Sequence, residues 1–101
     1  LIPLSSNLID CEFDGCRIGT FRNNNVTDCK FIDCDISMYS PNGRLLIINT
    51  TFNRCNIIYS DTSTKNIINC TYEDCDISNL ILSYASYIIK TSFDKCTIDK
   101  L

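Results

Sequence analysis

Eight cysteines in 101 residues are the side chains with most chemistry to offer. A thiolate can attack a carbonyl, ligate a soft metal or pair as a disulfide, and each use needs a different neighbourhood. A nucleophilic Cys needs a general base and an electropositive, partly exposed setting, and the chain contains no His. The thiols recur as Cys11/Cys16, Cys29/Cys34 and Cys70/Cys75, while Cys55 and Cys96 are single because Thr50 and Thr91 stand where their partners would be. A bridge framework does not lose half a bridge at regular intervals, whereas a small buried slot accepts Cys or Thr alike. Cys-x4-Cys is also a poor zinc spacing, and mixed Cys/His ligand sets are unavailable. The thiols are expected reduced and buried, with no metal, no cofactor and no catalytic role. Acidic groups come next: Asp33 with Asp35, and Glu73 and Asp74 with Asp76. Paired carboxylates do acid–base work when their environments differ, but outward positions of a repeat make these a solubilising face, and no catalytic residue is assigned.

What positions these residues is a repeat. The pattern [Cys/Thr]-x-[Phe/Tyr]-x-x-Cys-x-Ile occurs at 11–18, 29–36, 50–57, 70–77 and 91–98, so its aromatic residue returns roughly every 20 residues, the length of one solenoid turn. Each repeat divides into five-residue units in which a small residue precedes a large apolar one by two positions. Stacked turns place like residues over like. The expected interior is an aromatic column (Phe13, Phe31, Phe52, Tyr72, Phe93), an isoleucine column (Ile18, Ile36, Ile57, Ile77, Ile98), an aliphatic column (Leu8, Val26, Ile47, Ile67, Ile88) and a cysteine column (Cys16, Cys34, Cys55, Cys75, Cys96). Less regular stretches at 21–23, 39–44, 60–64 and 80–85 separate the triplets and are expected to bulge outward as a fourth, variable side.

This pattern resembles the pentapeptide-repeat family, with its small residue two before a large central one, over residues 6–100. The resemblance implies an all-β, right-handed, four-sided parallel β-helix of about five coils over 6–101, with 1–5 as a lead-in or partial cap. Extended segments spaced about 4.8 Å apart give five coils a height of about 24 Å. Lys65 departs from the pattern, since it occupies a small inward slot and cannot be buried unpaired, so that corner is expected distorted or open. The repeat also falls on the leucine-rich-repeat template Leu-x-x-Leu-x-Leu-x-x-[Asn/Cys]-x-Leu. A horseshoe is the alternative fold, although Cys or Thr fills the place where it wants a large aliphatic residue.

The residues that follow the aliphatic column, Ile9, Thr27, Ile48, Ile68 and Ile89, admit two readings. In the five-residue register they point outward as an exposed apolar ladder, a candidate interaction face. In a straight-strand register Ile9, Cys11 and Phe13 alternate inward instead.

Net charge of −3 and a pI near 4.6 give no basic stripe for direct nucleic-acid binding. The longest apolar runs, 45–48 and 80–82, are too short to span a bilayer. The opening Leu1-Ile-Pro-Leu lacks a basic n-region and an initiating Met, which suggests a segment of a longer chain. Open terminal coils call for a neighbouring domain or an end-to-end dimer. The expected function is a non-enzymatic structural and protein-interaction module, any catalysis lying outside the segment. The Ile-, Asn-, Ser- and Asp-rich composition is similar to secreted effectors of enteric bacteria, some of which carry such a β-helix ahead of a HECT-like ubiquitin-ligase region. That resemblance implies recruitment of a host protein, with the chain in a reducing setting, the bacterial cytoplasm or the host cell. The alternative from the same family is a DNA mimic that binds DNA gyrase.

Overall fold

A computed structural model describes residues 2–4, 7–21, 25–38, 44–59, 64–82 and 86–99. Every regular element among them is a strand of two to five residues. Strand β1 (Ile2–Leu4) precedes five triplets: β2 (Leu8–Ile9), β3 (Glu12–Asp14), β4 (Arg17–Phe21); β5 (Asn25–Thr27), β6 (Lys30–Ile32), β7 (Asp35–Met38); β8 (Arg44–Ile48), β9 (Thr51–Asn53), β10 (Asn56–Tyr59); β11 (Thr64–Ile68), β12 (Thr71–Glu73), β13 (Asp76–Ser78); β14 (Tyr87–Ile89), β15 (Ser92–Asp94), β16 (Thr97–Ile98).

Strands stay short because a corner interrupts them. The residue before each repeat Cys or Thr has positive φ: Asp10, Gly15, Asp28, Asp33, Asn49, Arg54, Asn69, Asp74, Lys90 and Lys95, all between 51° and 68°. Asp and Asn tolerate this left-handed conformation better than most side chains, so six corners have suitable residues besides Gly15. Each corner of the first four coils is also tied to the next coil through its N–H, as in Asp28 N–H to Ile48 O at 3.0 Å and Asn49 N–H to Ile68 O at 3.0 Å.

The turns stack into three parallel sheets. Sheet A has the order β1-β4-β7-β10-β13-β16, sheet B β2-β5-β8-β11-β14 and sheet C β3-β6-β9-β12-β15. Three strands per repeat, not one, make this a β-solenoid of five stacked layers and overturn the horseshoe alternative. The registers place like on like: Ile36, Ile57 and Ile77 in sheet A, Val26, Ile47 and Ile67 in sheet B, Phe31, Phe52 and Tyr72 in sheet C. Ile2–Leu4, expected as a lead-in, pairs in parallel with β4 and so extends sheet A by one strand.

The tube is filled by its columns. Val26, Phe31, Ile47, Phe52, Ile57, Ile67 and Tyr72 are fully enclosed, whereas the end-coil members Phe13, Ile88, Phe93 and Ile98 are partly buried. The aromatic rings stack nearly parallel from Phe13 to Phe93, with centroids 4.6 to 5.1 Å apart. Burying one such ring or Ile stabilises the fold by about 1.5–3 kcal/mol.

Two expectations about the fourth side need correction. Met38, Tyr59 and Leu80, assigned outward or variable positions by the five-residue units, are enclosed. Met38 and Tyr59 are in register at the ends of β7 and β10, because sheet A strands run on two residues past the isoleucine column and turn a further large side chain inward. Tyr59 OH lies 2.6 Å from Tyr72 OH inside the tube. The second correction concerns Lys65. It is fully buried in an unbroken strand, in register with the enclosed Leu45 of the preceding coil. Its ammonium donates to Ile81 O at 2.8 Å, and its backbone N–H donates to Ser86 Oγ at 2.9 Å. The carbonyl is one partner that makes burial tolerable. Of the stretches expected to bulge, residues 22–23, 39–43, 60–63 and 83–85 lie outside the described residues.

Candidate functional site

The cysteines are placed by the corners. All eight are free thiols, and each follows a left-handed residue, so its Sγ turns back toward the carbonyl two residues earlier. Cys29 Sγ donates to Thr27 O at 3.2 Å, Cys34 Sγ to Ile32 O at 3.2 Å and Cys75 Sγ to Glu73 O at 3.2 Å. Thr50 and Thr91 make the same bond with Oγ1, to Ile48 O at 3.0 Å and Ile89 O at 2.9 Å. This shared bond is why Thr replaces Cys in that column. In the all-cysteine column the thiol also faces a carbonyl one coil back, Cys55 Sγ to Phe31 O and Cys96 Sγ to Tyr72 O, both at 3.4 Å.

Enclosure governs their acidity. Burial raises the pKa of Cys29, Cys34, Cys70 and Cys96. Cys55 is pushed up by its hydrogen bond to the Cys75 thiol and by burial, and that same bond lowers Cys75 to about 7. Cys75 is nonetheless 0 % exposed, so a thiolate there has no path to a substrate. Burial likewise raises Tyr59 and Tyr72.

The acidic groups are not brought together as reactive pairs. Asp33 holds Arg54 in a bidentate contact, at 2.7 Å to Nε and 3.2 Å to Nη2, with both side chains about half exposed. The hydrogen bond from Arg54 lowers the pKa of Asp33. Asp35 accepts from Asn56 Nδ2 at 3.1 Å, and Glu73, Asp74 and Asp76 are exposed. Among the described residues no cluster of three His, Cys, Asp or Glu side chains is arranged to hold a metal, and no helix is long and apolar enough to cross a membrane. A shallow depression on sheet A is lined by Arg17, Asp35, Asn56 and Ile58.

What distinguishes one face is the ladder. Ile9, Thr27, Ile48, Ile68 and Ile89 are in register across sheet B, one residue beyond the enclosed column. Ile9 is 62 % and Ile89 44 % exposed, and the three between them are half-buried, each flanked by a rung above and below. The outward register therefore holds. A second outer column, Asn25, Leu46, Asn66 and Tyr87, runs beside it. Neither column contains a charge. The equivalent slot in sheet C carries Asp14, Ile32, Asn53, Glu73 and Asp94. Leu46 and Tyr87 were missed in the sequence as parts of this face; their signal was position, two before Ile48 and Ile89 in a strand.

No family model, curated protein or solved structure matches this chain.

Proposed function

We propose that this segment is a non-enzymatic, rigid protein-interaction module that docks a partner on the outer face of sheet B. One observation carries the reading: the slot one residue past the core column is Ile or Thr throughout sheet B, while the geometrically equal slot in sheet C is mostly acidic or polar. The fold does not require an apolar residue there, and where a soluble surface gathers apolar side chains into one contiguous patch, that patch is often functional. A stacked tube supplies a flat, preorganised surface, so little ordering entropy is lost on binding.

The repeat pattern further supports membership of the pentapeptide-repeat family, and the composition supports a place in a larger bacterial effector whose β-helix recruits a host protein. A DNA mimic calls for rows of like charge, in the manner of a phosphate backbone. Here the corner column after sheet C alternates in sign, Asp33, Arg54, Asp74 and Lys95, which favours the recruiting reading over gyrase binding. The test is affinity capture from host-cell lysate with the segment as bait, beside an Ile48→Asp/Ile68→Asp/Ile89→Asp variant verified as folded. A partner kept by the parent and lost by the variant supports the docking face; identical capture profiles count against it.

A further inference from the structure

Resting on that docking reading, we infer that the occupant of the sheet B face is a single amphipathic α-helix, laid along the ladder with its N-terminus toward Asp10 and Asp28. Three features lead there. The first is what the face offers. Inner strands of sheet B have parallel neighbours on both sides, so their backbone groups are committed, and the face presents side chains only. An extended segment laid on it would leave its own N–H and C=O groups unpaired, whereas a helix satisfies them internally.

Size is the second. Five rungs at the spacing of paired strands put Ile9 and Ile89 about 19 Å apart, and two outward columns give an uncharged area on the order of 300 Å², apolar along the ladder and mixed with Asn25 and Asn66 beside it. A stable globular partner or a second copy needs about 800 Å² on each side. A helix of roughly 13 residues has the length of the ladder, and one apolar stripe covers two columns.

Charge on the rim is the third. The corner beside the ladder carries Asp10 and Asp28 at the first two coils and Lys90 at the last. Carboxylates attract the partial positive charge of a helix N-terminus, and an ammonium attracts the C-terminal carbonyls. Within the neighbouring column, Asn66 Oδ1 is occluded and has no hydrogen-bond partner, an acceptor that a donor on the helix would satisfy once the amide turns outward.

The experiment is selection from a display library of roughly 14-residue random segments on the whole 101-residue chain. Counter-selection uses Ile48→Thr/Ile68→Thr, which puts at two rungs the residue already present at Thr27 and so keeps the fold. We expect winners with apolar residues at i, i+3, i+4 and i+7, helical when bound, and at least tenfold weaker on the variant. A spin label at the peptide N-terminus should broaden the Ile9 methyl signals and spare those of Ile89. Winners of period two overturn the helix and leave the docking face standing. Sedimentation showing a dimer of the parent that the variant loses overturns it in favour of a second copy. No winner that distinguishes parent from variant overturns both the helix and the docking face.

Discussion

Sheets B and C are built on the same plan and finished differently. Both bury a continuous column, Val26, Ile47 and Ile67 in one, Phe31, Phe52 and Tyr72 in the other, and the longer strands of sheet B bury Leu45 and Lys65 as well. Both turn at a left-handed residue followed by Cys or Thr. Their outer surfaces diverge: Ile9, Ile48, Ile68 and Ile89 on sheet B, Asp14, Asn53, Glu73 and Asp94 on sheet C. Since the inner columns and corners already hold the coil, what lies outside is free to vary, and on the proposed reading the difference marks the docking face. Sheet C acts as an internal control for sheet B.

The comparison breaks first if interior and exterior are not energetically distinct. Phe52→Ala removes a fully enclosed ring from between Phe31 and Tyr72 and should cost about 3–5 kcal/mol, measured by equilibrium denaturation. Next in size, Tyr59→Phe strands the Tyr72 hydroxyl inside the tube and should cost about 1–3 kcal/mol. The double variant Tyr59→Phe/Tyr72→Phe should recover most of that loss, because removing both partners leaves nothing unsatisfied and Phe already fills the Tyr72 slot in the other four repeats. Cys70→Thr, a near-isosteric change at a buried position, should cost less than about 1.5 kcal/mol, since Thr50 and Thr91 make the same carbonyl bond in that column. Thiol titration in denaturant without reductant should find all eight cysteines free.

The smallest effect sits on the exposed corner. The Asp33 carboxyl is lowered by Arg54, so its contribution is fully present above the ordinary carboxylate range and is lost as pH falls through the lowered value. Both side chains are solvated, and the pair is correspondingly weak. Arg54→Ala should move the melting temperature only slightly, and high salt should erase the difference.

Periodicity made the interior legible. Five returns of one motif placed the aromatic, isoleucine, aliphatic and cysteine columns correctly, and the Cys/Thr alternation pointed to reduced thiols. The ladder was legible as a candidate but not its direction, because a one-residue change of register turns it to the other side. What escaped was local. Met38 and Tyr59 close their five-residue units, at a position the repeat turns outward, and Leu80 falls just past its unit, so the pattern could not place them inside. Lys65 was misjudged because its charge outweighed its position, and Ile81 O, one acceptor that accommodates it, belongs to a segment with no repeat signature. Arg54, Lys90 and Lys95 at left-handed corners carry no sequence cue for that conformation; the stacked coils impose it.

The most direct test of the central claim is the unfolding free energy of Ile48→Thr/Ile68→Thr. If the ladder lies outside the core, the double variant keeps its fold and loses no more than about 1 kcal/mol. A loss as large as that of Phe52→Ala would put the ladder among the core columns and contradict the docking face.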